Sequence, residues 1–125
     1  MTDVTVTVPA RPDFVRLLRT VVSSVGARLD LTYDRIDDLR IAVDEACAQL
    51  LAISSGTITM RVTPDGDRIK VFVCSDASVG ADGWPPPNVE DSLAWRILAG
   101  LADDVRFELT DQGPAVRVEV EARTA

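Results

Sequence analysis

Hydrophobic and polar positions along the chain fall into eight periodic segments separated by turn residues. Residues 3–9 alternate strictly, with Val4, Val6 and Val8 on one side, which is the period-two pattern of a half-buried strand, and Pro9 and Pro12 end it. From Pro12 to about Leu29, Phe14, Leu17, Leu18, Val21, Val22 and Val25 recur at helical spacing. They predict an amphipathic helix with proline in its first turn and Arg16, Arg19 and Arg28 on its wetter side. Thr32 then reads as the N-cap of a second helix, with Asp34 and Asp37 at its positive end and Ile36, Leu39, Val43, Ala46, Cys47 and Leu50 as its inward stripe. This helix runs to about Ile53, where Ser54-Ser55-Gly56 stops it. Strands near Thr57 to Thr63 and Arg68 to Cys74, joined by Pro64-Asp65-Gly66-Asp67, make a hairpin. No periodicity survives between Ser75 and Asn88, which contain Gly80, Gly83 and Pro85-Pro86-Pro87, and so long a loop in a small domain is a candidate for function. Glu90 to Leu101 predicts a third helix with Leu93, Ile97, Leu98 and Leu101 inward, and two strands around Asp111-Gln112-Gly113-Pro114 close the chain.

Strands that arrive in hairpins, with helices between them, predict an α+β fold: a two-layer sandwich whose mixed sheet is covered on one face by helices. At 125 residues, 46% hydrophobic and 26% charged, residues 1–125 are expected to form one domain that carries the whole function. The formal charge of −7 argues against a nucleic-acid binder that relies on a basic field, and points to a protein partner or a small ligand. The absence of histidine excludes Ser-His-Asp and Cys-His catalysis and histidine-based zinc or haem sites. Cys47 and Cys74 lie in apolar surroundings that suit reduced, buried thiols, with a disulfide as the lesser alternative. No window approaches the roughly 18 apolar residues of a membrane span and the start of the chain does not read as a signal peptide, so a cytoplasmic location is expected.

The strongest local anomaly lies on the second helix. With Val43 at the centre of the inward stripe, about 100° per residue turns Glu45 to nearly the opposite side, with Gln49 one turn further on. Their neighbours there are Ile41, Ala42, Ala48 and Ala52, so the second half of this helix is expected to be covered on both faces. Glu45 is either a partly exposed residue on an alanine-rich helix, or one of a carboxylate–amide pair in which the amide oxygen binds a hard cation and the carboxylate serves as a base. Asp76-Ala77-Ser78-Val79-Gly80 leaves a strand end and is either a plain turn or a holder of a base or sugar. Trp84, beside three prolines, is either an exposed partner anchor or a hydrophobic lid folded over a shrunken pocket.

The stretch from Asp38 to Leu51 resembles the N-box helix of the anti-sigma factor serine kinases of the RsbW and SpoIIAB type, in the ATPase superfamily that includes histidine kinases and heat-shock protein 90. Ser92 to Val105 is similar to that family's last helix and the strand after it, and the shortened actinobacterial RsbW proteins are the nearest likeness. The resemblance implies a histidine kinase-like ATPase fold. In it Glu45 matches the catalytic glutamate, Asp76 the adenine-binding aspartate and Gly80 the second glycine of that box. Gln49 stands where the family has its magnesium-holding asparagine, Ser78 replaces the first glycine of Asp-x-Gly-x-Gly, and Ser92 and Ala94 replace both glycines of the phosphate-side Gly-x-Gly.

Glutamine displaces the amide oxygen by one methylene from a metal position that tolerates little error, and a Cβ beside a phosphate blocks close approach of backbone N–H groups. The stretch from Gly80 to Ser92 is also shorter than the family's ATP lid, and Trp95 is placed to fill volume a nucleotide would use. ATP and Mg2+ are the cofactors the resemblance implies, and weak or absent binding is expected. Two functions follow from it. One is an anti-sigma factor that dimerises, sequesters a stress- or sporulation-type sigma factor and is antagonised by an anti-anti-sigma protein with a STAS domain, without direct contact to nucleic acid or membrane. The other is an active ATP-dependent serine/threonine kinase acting on that antagonist, with Glu45 as base. The degenerate positions favour the first over the second, and a scaffold that has lost both activities ranks last. Arg16, Arg19 and Arg28 are the expected sigma-binding residues, with Trp84 as a further partner contact.

Overall fold

The computed structural model describes residues 3–79 and 83–121. Its elements follow the predicted order: β1 (Val4–Pro9), α1 (Pro12–Arg28), α2 (Tyr33–Leu51), β2 (Thr57–Asp65), β3 (Arg68–Ser75), a 3-10 turn (Val89–Asp91), α3 (Leu93–Leu101), β4 (Asp104–Thr110) and β5 (Gly113–Glu121). The sheet order is β1-β2-β3-β5-β4, and every neighbouring pair is antiparallel. The expected α+β sandwich is therefore present, but its sheet is antiparallel throughout and not mixed. The connections explain why. Two antiparallel helices between β1 and β2 return the chain to the end of the sheet it left, so β2 runs against β1. A single helix between β3 and β4 makes those strands run the same way, but β5 inserts between them and no parallel ladder forms.

Strand alternation divides the sheet into two faces. Val8, Ile58, Met60, Val62, Val71, Val73, Phe107, Val116 and Val118 join Leu18, Val22, Leu39, Val43, Ala46, Leu50 and Leu98 in one core under the helices. On the other face Phe72, Cys74 and Ala115 form a small separate cluster. There the Arg61 and Arg117 guanidinium groups, from the strands on either side, stand 4.9 and 4.5 Å from the Phe72 ring centre.

Local chemistry sets the helix ends. The Thr32 hydroxyl accepts the Arg35 N–H at 3.2 Å and caps α2, as predicted, while the helix stops at Leu51, slightly before Ile53. The third helix starts later than Glu90. Ser92 is extended, with φ −75° and ψ 155°, and its hydroxyl accepts the Trp95 N–H at 3.1 Å, so the serine opens a new helix after the 3-10 turn. Both cysteines are free and buried, on opposite faces of the sheet. Burial, with a smaller contribution from the Asp44 carboxylate, pushes the Cys47 thiol up to about 12.

Candidate functional site

Helical spacing lines up Arg35, Asp38, Ala42, Glu45 and Gln49 along one flank of α2. At the N-terminal end of that flank Arg35 donates to Asp38 at 3.2 Å, to Asp103 at 3.1 Å and to the Glu121 carbonyl at 3.0 Å. Asp103 follows α3, so this flank faces α3. Because α3 runs back against α2, its Ser92 end lies level with the half of α2 that carries Glu45 and Gln49, and β3 ends at the same end of the sandwich. Element direction thus gathers most of the candidate residues at one end.

Their side chains are not equally joined. Glu45 and Gln49 are half-buried, and the Gln49 amide donates to a Glu45 carboxylate oxygen at 3.5 Å. The outer side of α2 is not covered, contrary to expectation: Ile41 is 47% exposed, and Ala48 and Ala52 are exposed, with Ala42 alone buried. The helices α1 and α3 pack on its two flanks and the sheet beneath, which leaves the outermost residues in water.

Asp76 turns the other way. Its carboxylate accepts the Thr57 N–H at 3.0 Å and the Thr57 hydroxyl at 3.2 Å, tying the end of β3 to the start of β2. Ser75 meets the Ser54 hydroxyl on the helix side, so alternation directs Asp76 to the open face, where it lines a hollow of about 260 Å³ with Thr5, Thr59 and Arg61. No hydrogen bond links Asp76 to Glu45 or Gln49 among the described residues. Gly56 allows this arrangement, since a Cβ there would come within 2.5 Å of both Asp76 oxygens.

Ser78 is exposed in the following loop, and Gly80 lies outside the described residues. Ser92 spends its hydroxyl on capping α3 and on the Val89 carbonyl, and Ala94 is buried. The candidate residues do not converge on one point: the Asp76 carboxylate bonds Thr57 on the open face, the Gln49 N–H bonds Glu45 on the helix side with the amide oxygen left without a partner among the described residues, and the Ser92 hydroxyl caps a helix. Among the described residues no group of three or more Cys, Asp or Glu is placed to hold a metal ion.

Trp84 is corrected as an exposed anchor: it is 2% exposed. Its ring stacks on Phe107 with centroids 5.5 Å apart, and its indole N–H donates to the Ala115 carbonyl at 3.2 Å. Trp95 tilts against the same Phe107 at 5.8 Å. Loop periodicity could not reveal this cluster, because its members come from three separate segments.

Arg19 is also not a free surface charge, since it pairs with Asp44 across α1 and α2 at 3.2 Å. Arg16 and Arg28 are exposed and have no ion pair among the described residues. Between α1 and α2 lies a groove of about 680 Å³, opened by Thr20, Ser23, Ser24 and Ala27, with Arg19, Asp37 and Arg40 as its charged residues and Tyr33, which is 89% exposed, at its rim. The sequence signal for it was the run of small residues on the outer side of α1.

Residues 8–120 match the family described as histidine kinase-like ATPase domain. An anti-sigma-F factor RsbW of Mycobacterium tuberculosis is 36% identical over 99 residues, which cover 79% of this chain and 57% of that protein. The chain therefore spans little more than half the length of that relative. A serine-protein kinase RsbW of Bacillus licheniformis is 31% identical over 127 aligned residues, covering 86% of this chain and 78% of that protein. The RsbU and RsbW domains of Rv1364c from Mycobacterium tuberculosis, a solved structure, superpose with a TM-score of 0.74 at 14% identity, over 97% of this chain and 32% of that one, so the fold is shared.

Proposed function

Because the chain belongs to the histidine kinase-like ATPase domain family, and within it to the RsbW group, we propose that it is an anti-sigma regulatory factor. In this reading it acts in the cytosol as a homodimer, sequesters an alternative sigma factor, and is released by a STAS-domain anti-anti-sigma protein. One observation carries the choice of binding over catalysis: the Asp76 carboxylate and the Ser92 hydroxyl, at two of the nucleotide-site positions, bond within the chain, while α1 exposes Arg16 and Arg28 to solvent. The sigma factor is assigned to α1, with Arg16 and Arg28 meeting acidic side chains. Arg19 contributes by holding α1 against α2. Binding of ATP and Mg2+ is weak or absent in this reading, and Gln49, Asp76, Ser78, Gly80, Ser92 and Ala94 have lost their nucleotide roles.

The test is a pull-down of the purified chain with recombinant sigma factors and STAS-domain proteins of the same genome, with and without Mg-ATP. Capture of a sigma factor under both conditions is the expected result, and capture under neither removes the reading. The half-buried Glu45, bonded to Gln49 and level with the start of α3, favours a second reading as a serine/threonine kinase. That reading requires transfer of the ATP γ-phosphate to a serine or threonine of the STAS protein, and loss of the transfer in Glu45→Gln.

A further inference from the structure

Between Gly83 and Asp91 every residue is exposed or half-buried except Trp84. One side chain of an otherwise solvated strap is driven fully into the molecule. It enters a recess whose other parts belong to distant elements: the Phe107 ring from β4, stacked on it at an interplanar angle of 17°, and the Ala115 carbonyl from β5, which accepts its N–H at 3.2 Å. Trp95 of α3 closes on Phe107 from the same aromatic cluster. On the far side of Trp84 the strap leads through the 3-10 turn to the Ser92 cap of α3, so the indole anchors the segment that delivers that cap. A stacked face, an apolar enclosure and one carbonyl aimed at an N–H are the elements of a small-molecule pocket, and here the occupant is covalently attached.

We propose that Trp84 is a tethered ligand. Its indole occupies a pocket built by the Phe107 ring and the Ala115 carbonyl, and it clamps the strap, and through it α3, to the sheet. The pocket is matched to a planar, apolar heteroaromatic with a single N–H donor. This inference stands apart from the anti-sigma reading, because it concerns what holds α3 in place and not what binds α1.

Chemical rescue of Trp84→Gly in the full chain tests it. The variant should melt at least about 5 °C below wild type, and millimolar free indole should raise the variant's melting temperature while leaving wild type unmoved. N-methylindole, which lacks the donor, should restore less. A folded variant that indole does not stabilise, or that N-methylindole stabilises equally, overturns the proposal. Trp95→Phe provides a second readout that does not depend on that variant folding, because the chain has two tryptophans and this change leaves Trp84 alone. Its emission should be blue-shifted, resistant to acrylamide quenching and unchanged by Mg-ATP. Red-shifted, readily quenched emission, or displacement of the ring by Mg-ATP, overturns the assignment.

Discussion

Gly113 shows how closely the end of the sheet is fitted. Its φ of +125° lies in the region L side chains avoid, and a Cβ there would run into the Ser75 carbonyl of the neighbouring strand segment. Gly113→Ala combines backbone strain with a clash against backbone, so it should destabilise the fold by about 3 kcal/mol, measured by urea denaturation. Cys47 makes a different prediction. Its thiol is raised from 9.0 to about 12 in the folded chain, so the folded state holds the proton more tightly than the unfolded one. That contribution is complete below pH 9 and is lost as pH rises from about 9 to about 12, with a slope of about 1.4 kcal/mol per pH unit. Urea denaturation of wild type and Cys47→Ala at pH 8 and pH 10.5 should show the steeper alkaline loss in wild type. The buried thiol should also resist thiol reagents at pH 8 until the chain is unfolded.

At the scale of elements, α3 is the most dependent on a single residue. It has nine residues, too few to be stable by propensity, and its start is set by the Ser92 hydroxyl. Ser92→Ala should cost about 1 kcal/mol and raise amide exchange in α3, whereas Ser92→Gly should cost only a few tenths. The contrast matters because glycine is the residue the resemblance implies at this position: its return would relieve the Cβ without rebuilding the rest of a phosphate site. On α2 the Arg35 bonds to Asp38, Asp103 and Glu121 join the first turns to the end of α3 and to β5. Asp38 is one helical turn away, but Asp103 and Glu121 lie far along the sequence and only the fold brings them near Arg35.

At the scale of the molecule, a chain of net charge −7 exposes two unpaired arginines on α1, Arg16 and Arg28, among the described residues. Such charges steer an acidic partner surface more than they raise final affinity. Replacing Arg16 and Arg28 by glutamate should slow association with the captured sigma factor about tenfold at low salt, with less effect as ionic strength rises. The melting temperature should fall by no more than about 5 °C, because both side chains are exposed and unpaired among the described residues and the main cost is a glutamate at the negative end of the α1 dipole. Stopped-flow association and thermal melts separate the two effects. A similar loss in Arg19→Glu should come with reduced stability, since that residue also holds Asp44.

Periodicity was sufficient for much of this protein. The alternation in β1, the apolar spacing of α1 and α2, the Thr32 cap and the hairpin at Gly66 are local patterns, and the structure realises them because each is enforced by burial of one face or by a nearby backbone bond. The motif positions at Glu45, Asp76 and Ser92 were equally legible as residues. Where their side chains point was not, because strand alternation at Ser75, the opening at Gly56 and the late start of α3 are decided by neighbours distant in sequence. Tertiary structure alone decided that Asp76 binds Thr57, that the sheet is antiparallel throughout, and that Trp84 is inside: each depends on which segments meet, and a one-dimensional pattern carries no distance between them.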